Sequence, residues 1–232
     1  MAVISFMHNH FRLLSKSSSS TFIYHKPANI LLSKSAFLKY CYRLNCNMSK
    51  KSALVLIAKG TEEMECIITV DVLRRAKIEV TLAGVGGKGS VECSRGVVVV
   101  PDASLADAVK KGPYDAVILP GGLEGAKTFS ESAEVGSLLK KQAEANRIVA
   151  AICAAPTALK AHKIFEGKKV TLYPSLKDEL GSSYKYCKEK VVVDGTLVTS
   201  QGPGTAYDFA LKLVEVLTDK ATLDDVKKGL LL

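Results

Sequence analysis

One cysteine of the chain stands where a thiol could react. Cys153 lies in "RIVAAICAAPTALKAH" (147–162), between an apolar run that reads as a buried strand and a segment that reads as a helix. A side chain on a tight strand-to-helix turn has the geometry of a nucleophile elbow. Ala154 and Ala155 are small enough for backbone to approach. Pro156 is tolerated because N–H groups of a first helical turn have no helical partners. Those free N–H groups and the helix dipole favour a thiolate; a thiol pKa lowered from about 8.5 to about 6 would leave the sulfur largely ionised at neutral pH. The competing reading is a buried structural cysteine, which is inert.

A reactive thiol needs a partner. A Cys–His dyad requires an imidazole as base. Of the four histidines, His8, His10 and His25 lie in the first 47 residues. His162 follows Cys153 at a distance of roughly 13 Å along a helix, too far for a hydrogen bond. Cysteine-peptidase chemistry is therefore poorly supported, and a carboxyl group is the remaining option. Glu62, Glu63 and Glu65 open "TEEMECIITVDVLRRA" (61–76), where acidic residues also complement a helix dipole. That role suits Glu62 and Glu63. Glu65, beside Met64 on the expected apolar face, can instead point inward, where burial raises its pKa. It could then stay protonated, hydrogen-bond the thiolate and serve as acid or base.

The elements that must hold these residues alternate. "SALVLIA" (52–58) is a strand, followed by a helix with Thr61 as N-cap and Met64, Ile67, Ile68 and Val72 on its buried face. "EVTLAGV" (79–85) is a second strand, "SVECSRGVVVVPD" (90–102) reads as further short strands, and "YDAVILPGG" (114–122) is a buried strand ending in glycines. A helix over about 126–145, the strand "IVAAIC" (148–153), its short helix and "KVTLYP" (169–174) follow. "KVVVDGTLVTS" (190–200) reads as a hairpin with Asp194-Gly195 as a type I′ turn. A long helix in "GPGTAYDFALKLVEVL" (202–217) and a weaker one near 222–229 close the chain. Continuous apolar strands alternating with helices predict an α/β protein with a parallel sheet covered on both faces. In such a sheet, functional groups gather at the carboxyl ends of the strands. "KGTEEME", "LPGG" and Cys153 all lie at such ends.

Other chemistries fall away. "GVGGKG" (84–89) matches a dinucleotide fingerprint by letter, but it opens a β-like stretch rather than the helix that would hold a pyrophosphate, so NAD binding is rejected. The six cysteines, at 41, 46, 66, 93, 153 and 187, show no paired spacing, which disfavours a disulfide scaffold and a zinc site. The net charge of +9 is concentrated in residues 1–47, which hold six Lys/Arg and no Asp or Glu. Residues 48–232 carry only +3, so nucleic-acid binding by the folded part is not expected. No apolar run is long enough to span a bilayer. Residues 1–47 are serine-rich, with Phe6, Phe11, Leu13 and Leu14 able to share a helical face, as in a mitochondrial transit peptide. The alternatives are a disordered tail, or a cytoplasmic form that begins at Met48. Residues 48–232 are expected to form one domain.

Five stretches in order, "ALVLIAKGTEEMECIITVDVLRRA", "CSRGVVVVPDASL", "GPYDAVILPGG", "AAICAAPTAL" and "TSQGPGTAYDFAL", resemble the Parkinsonism-associated protein deglycase family, the DJ-one branch of the DJ-one/PfpI superfamily. The resemblance spans essentially all of 50–231. It implies a flavodoxin-like three-layer α/β sandwich that forms a homodimer and needs no cofactor. It further implies that Cys153 is the nucleophile and peroxide-sensitive cysteine, and that Glu65 is the carboxyl bonded to it. The amides of Gly122 and Ala154 would form an oxyanion pocket, Arg75 and Arg95 would lie near the site, and Cys93 would match a peripheral redox cysteine. Two departures stand out: Tyr173 in "LYP" replaces a family histidine, and Val100 replaces a family cysteine. The implied activity is cofactor-free conversion of methylglyoxal or glyoxal to the hydroxy acid, with repair of early aldehyde adducts on proteins. The alternative on the same two residues is a redox-sensing chaperone whose Cys153 is oxidised to a sulfinate.

Overall fold

The computed structural model describes residues 50–232. The leader expected at 1–47 lies outside the described residues. β1 (Ser52–Ile57), α1 (Glu63–Arg75) and β2 (Glu79–Gly84) form the first crossover unit. β3 (Val91–Glu92) and β4 (Val98–Val99) make a separate antiparallel ribbon. β5 (Ala103–Ser104), α2 (Leu105–Lys111), β6 (Ala116–Leu119), α3 (Leu123–Glu131) and α4 (Ala133–Glu144) come next. β7 (Ile148–Ile152) leads into α5 (Pro156–Ala161), and β8 (Lys169–Val170) into a 3₁₀ segment, Pro174–Ser183, and β9 (Lys185–Tyr186). The hairpin of β10 (Val191–Asp194) and β11 (Leu197–Ser200) precedes α6 (Ala206–Leu217) and α7 (Lys220–Leu230).

The main sheet runs β10-β11-β7-β6-β1-β2-β5, and every neighbouring pair except β10–β11 is parallel. Its five inner strands taken in chain order give 2-1-3-4-5, the flavodoxin-like arrangement. Both faces are covered, which is why the strands read as unbroken apolar runs. Ala53, Val55 and Ile57 of β1 face α1, α6 and α7, together with Ile118, Ile152 and Val198. Leu54 and Leu56 point the other way with Val117, Leu119 and Val149, onto α2 to α5. Burial of each such side chain contributes about 1.5–3 kcal/mol.

Four sequence expectations change. The single helix over 126–145 is two helices broken at Ser132, whose backbone is extended (φ −80°, ψ 113°) and whose hydroxyl accepts from the amide of Val135, starting α4 afresh. The N-cap of α1 is Glu62, whose carboxylate accepts from the amide of Glu65 at 2.8 Å. Thr61 instead accepts from the amide of Ala58, closing the loop that leaves β1. The α1 face is also rotated from expectation: Met64 and Ile67 are 51% and 43% exposed, while Glu65, Cys66, Thr69, Val72 and Leu73 are buried. Apolar character alone mislocated this face because a glutamate occupies an inward position. In the hairpin, Asp194 pairs with Leu197, so the turn is Gly195-Thr196; only Gly195 has positive φ, which excludes type I′. "GVGGKG" is a turn between β2 and β3, as expected.

Candidate active site at Cys153

The connection from β1 goes to one side, to β2, whereas β6 and β7 lie on the other. This switch point leaves a crevice at the carboxyl ends of β1 and β6, and Glu65, Gly121 and Cys153 meet beside it. Cys153 is the first residue beyond β7 and has φ +63°, a left-handed conformation that costs a non-glycine residue on the order of 1–2 kcal/mol. Two hydrogen bonds hold it there. Its N–H donates to the Ser200 carbonyl at 3.0 Å, and its carbonyl accepts from the Tyr173 N–H at 2.9 Å. The turn closes with the Ala155 N–H on the Ile152 carbonyl, and Pro156 starts α5. This is the sharp elbow expected from the sequence.

Glu65 is fully buried. The Gly121 N–H donates to its Oε2 at 2.7 Å, while Oε1 has no well-directed partner of its own. The Cys153 side chain lies beside that carboxyl: a methyl group on Gly121 would touch both. Burial raises the Glu65 pKa to about 7, although the bonds from Gly121 and Cys153 work against the rise. Burial, followed by the nearby Glu65 charge, pushes the Cys153 thiol up to about 12; the amides of Gly122 and Ala154, which reach the sulfur, pull it down. Burial and the Glu65 charge thus oppose the thiolate expected from the sequence, while the two amides favour it. Desolvation outweighs the amides, and two negative charges cannot share this pocket. The pair instead carries one mobile proton, with Glu65 as the built-in acceptor for it.

Glycine is a requirement at two positions. A Cβ on Gly121 would lie 2.5 Å from Cys153 Cβ and 2.7 Å from Glu65 Oε2. Gly122 has φ +86°, and its Cβ would strike the loop between β1 and α1. The doublet at the end of "LPGG" was legible in the sequence; the contact it permits was not.

The other expected residues separate. The amides of Gly122 and Ala154 favour charge on the sulfur. Arg95 is exposed on the β3–β4 turn, and its N–H donates to Glu63 at 2.9 Å, one helical position pair away from Glu65. Ser94 adds an O–H bond to the same carboxylate. Burial opposes charge on Glu63, but these bonds prevail and lower its pKa. Arg75 ends α1, about 15 Å along the helix from Glu65, where it pairs with Asp71 at 2.6 Å. Within one chain it does not reach the site. Cys93 lies outside the Glu65–Cys153 pair and is buried beneath α1. His162 is committed elsewhere, with Nε2 against the Phe129 carbonyl at 2.8 Å. Tyr173 is half-exposed, with its ring over Gly202. Among the described residues, no cluster of three or more His, Cys, Asp or Glu could hold a metal ion. No helix among them is long and apolar enough to cross a membrane.

A doubly covered, mainly parallel sheet with a cysteine elbow and a buried carboxyl at its switch point defines the class: a single-domain α/β protein of flavodoxin-like architecture with a thiol–carboxyl site. The chain belongs to the DJ-1/PfpI family, whose model matches residues 51–216. It is 52% identical to the Parkinson disease protein 7 homolog of Danio rerio over 187 residues, covering 80% of this chain and 99% of the relative. The crystal structure of Drosophila melanogaster DJ-1beta superposes with a TM-score of 0.78 at 51% identity, covering 79% of this chain and 99% of the other. A Caenorhabditis elegans relative, glutathione-independent glyoxalase DJR-1.2, is 40% identical over 186 residues, covering 79% of this chain and 98% of its own length.

Proposed function

We propose that the chain is a cofactor-free, cysteine-dependent glyoxalase and protein deglycase acting on methylglyoxal, glyoxal and their early adducts, in protection against oxidative stress. The observation that carries this reading is the buried Glu65 carboxyl, tethered by the Gly121 N–H on Oε2 and packed beside Cys153. The name of the Caenorhabditis elegans relative supports the same class of activity. As the sulfur attacks the aldehyde carbon, the thiol proton passes to Glu65, and a hemithioacetal forms. The amides of Gly122 and Ala154 hold the developing oxyanion. Glu65 returns that proton to the oxyanion and, ionised again, takes the proton from the aldehyde carbon and gives it to the ketone oxygen, forming an enediol. The hydroxyl proton on the sulfur-bearing carbon then passes through Glu65 to the neighbouring carbon, which leaves a thioester on Cys153. Water releases this as the hydroxy acid and restores the thiol. The test is lactate formation from methylglyoxal by wild type beside Cys153→Ser: wild type turns over and the variant does not. Turnover retained by the variant defeats the mechanism.

One observation favours a second role at the same site. Two amides and a carboxyl of raised pKa surround one sulfur. A protonated Glu65 would donate to a Cys153 sulfinate, so peroxide would convert the site to a sensor state that engages partners as a chaperone. In this reading Glu65→Leu shifts peroxide oxidation away from the sulfinate, and an unchanged oxidation profile by mass spectrometry removes Glu65 from the role.

The working unit is a homodimer, for which the exposed Met64 and Ile67 on the outer face of α1 supply an apolar surface. Residues 1–47 direct the chain to mitochondria, and a form starting at Met48 is cytoplasmic; a fusion of 1–47 to a fluorescent protein that stays in the cytosol defeats the targeting reading.

A further inference from the structure

Cys66 and Cys93 take no part in the chemistry above, yet both are buried, at 0% and 4% exposure, in the same apolar cluster beneath α1. Backbone bonds lace the chain around Cys93 to the start of α1 from both sides. The Gly60 N–H donates to the Glu92 carbonyl at 2.9 Å, and the Ser94 N–H donates to the Thr61 carbonyl at 2.9 Å. Glu63 then grips the Ser94 hydroxyl and the Arg95 amide. Cys66 follows Glu63 by three residues, so it lies on the same helix face one turn further on, with about 5–6 Å between their Cβ atoms. That face is the one turned toward Cys93. Burial first, and then the nearby Cys93, raises the Cys66 thiol.

Cys66 is also turned away from the active-site cysteine. Consecutive helical residues diverge by about 100°, and it is Glu65 that points at Cys153. A disulfide needs Cβ atoms about 3.5–4.5 Å apart. Of the two elements involved, the β3–β4 ribbon is the one that can shift to meet this, since each of its strands has only two residues.

We propose that Cys66 and Cys93 form a redox-active dithiol that closes to a disulfide under peroxide, fastening the β3–β4 ribbon to the helix that carries Glu65. Local opening of the ribbon admits the oxidant to Cys93, the less buried sulfur. The Cys93 sulfur attacks one peroxide oxygen, the O–O bond breaks, and the other oxygen leaves as water with the thiol proton. The Cys66 sulfur then displaces the oxygen of the resulting sulfenic acid. An S–S bond forms, and that oxygen leaves as a second water with the Cys66 proton. Two thiols lose two electrons and two protons, and hydrogen peroxide becomes two waters.

The experiment treats the folded full-length protein with graded hydrogen peroxide, blocks remaining thiols under denaturing conditions and digests without reductant. Lys and Arg residues between the two cysteines put them on separate tryptic peptides. The expected product is a Cys66–Cys93 linked pair that dithiothreitol reverses, that Cys153→Ser retains, and that Cys66→Ala and Cys93→Ala each abolish. Oxidation of Cys153 reports that the oxidant acted. The proposal is overturned if Cys66 and Cys93 are both recovered blocked once Cys153 is oxidised. It is also overturned if Cys66 is linked to Cys153, or if the pair forms only in urea. The wild-type readout stands whether or not a core variant folds.

Discussion

The Glu65 carboxyl and the Cys153 thiol meet inside the protein with one tether, the Gly121 N–H at 2.7 Å on Oε2, and one proton to divide between them. Neither residue has this property alone. Glu65 titrates near neutral pH because α1 buries it, and, when Glu65 is ionised, Cys153 holds the pair's one proton because burial and Glu65 both oppose a thiolate. In the proposed chemistry the active form is therefore the one in which Glu65 is ionised and ready to take the thiol proton.

This sets a pH dependence. As pH rises through about 7, Glu65 loses its proton and kcat/KM for methylglyoxal should rise, with an acid limb at that pH. Glu65→Gln should erase the limb and lower kcat/KM by about 10²–10⁴-fold. A limb that survives the substitution assigns it to another group.

The same shift has a stability consequence of opposite sense. Ionising Glu65 is harder in the folded protein than in the unfolded chain, so folding stability is fully retained below about pH 4.5 and declines as pH rises through about 7. A shift of this size corresponds to about 3 kcal/mol. Glu65→Gln, which can still accept from Gly121, should therefore unfold at higher urea than wild type at pH 8 and at nearly the same urea at pH 5.

Gly121→Ala should damage both stability and activity. Its methyl group would sit 2.5 Å from Cys153 Cβ and 2.7 Å from Glu65 Oε2, so the pair must separate. Overpacking of this kind costs about 1–3 kcal/mol. Urea unfolding and the methylglyoxal assay read the two effects, and normal activity at unchanged stability would contradict the close approach.

Met64→Lys with Ile67→Glu should give a monomer by light scattering with the far-UV spectrum unchanged. Both side chains are about half exposed in the single chain, so the charges can reach water in its own fold while spoiling an apolar contact. A double variant that still sedimented as a dimer would move the interface elsewhere.

Much of the fold was legible in the sequence because its signals are local. Apolar runs such as "ALVLI" and "AVIL" mark strands buried on both faces, and the turn at "ICAAP" announces an elbow from the sizes of three or four neighbours. The absence of a usable imidazole near Cys153 was a matter of counting, and it pointed to a carboxyl partner. Two local features were misread where neighbouring residues compete for one role, and a third depends on distant atoms. Ser132 breaks a helix that periodicity would continue, and Glu62 displaces Thr61 as the cap of α1. Cys66 drew no attention because nothing beside it in sequence reveals Cys93 across from it.

The sequence by itself determined the alternating α/β order, the strained cysteine turn, the glycine doublet and the carboxylates available to serve it. Only the tertiary structure decided that Glu65 faces the sulfur while Met64 faces solvent, that Arg75 stands a helix length away, and that the thiol pKa moves up. The reason is physical: strand, turn and cap preferences are set by covalent neighbours within a few residues. Desolvation and charge repulsion depend on every atom packed around a group, and those atoms come from β1, β6, β7 and α1 only after the chain has folded.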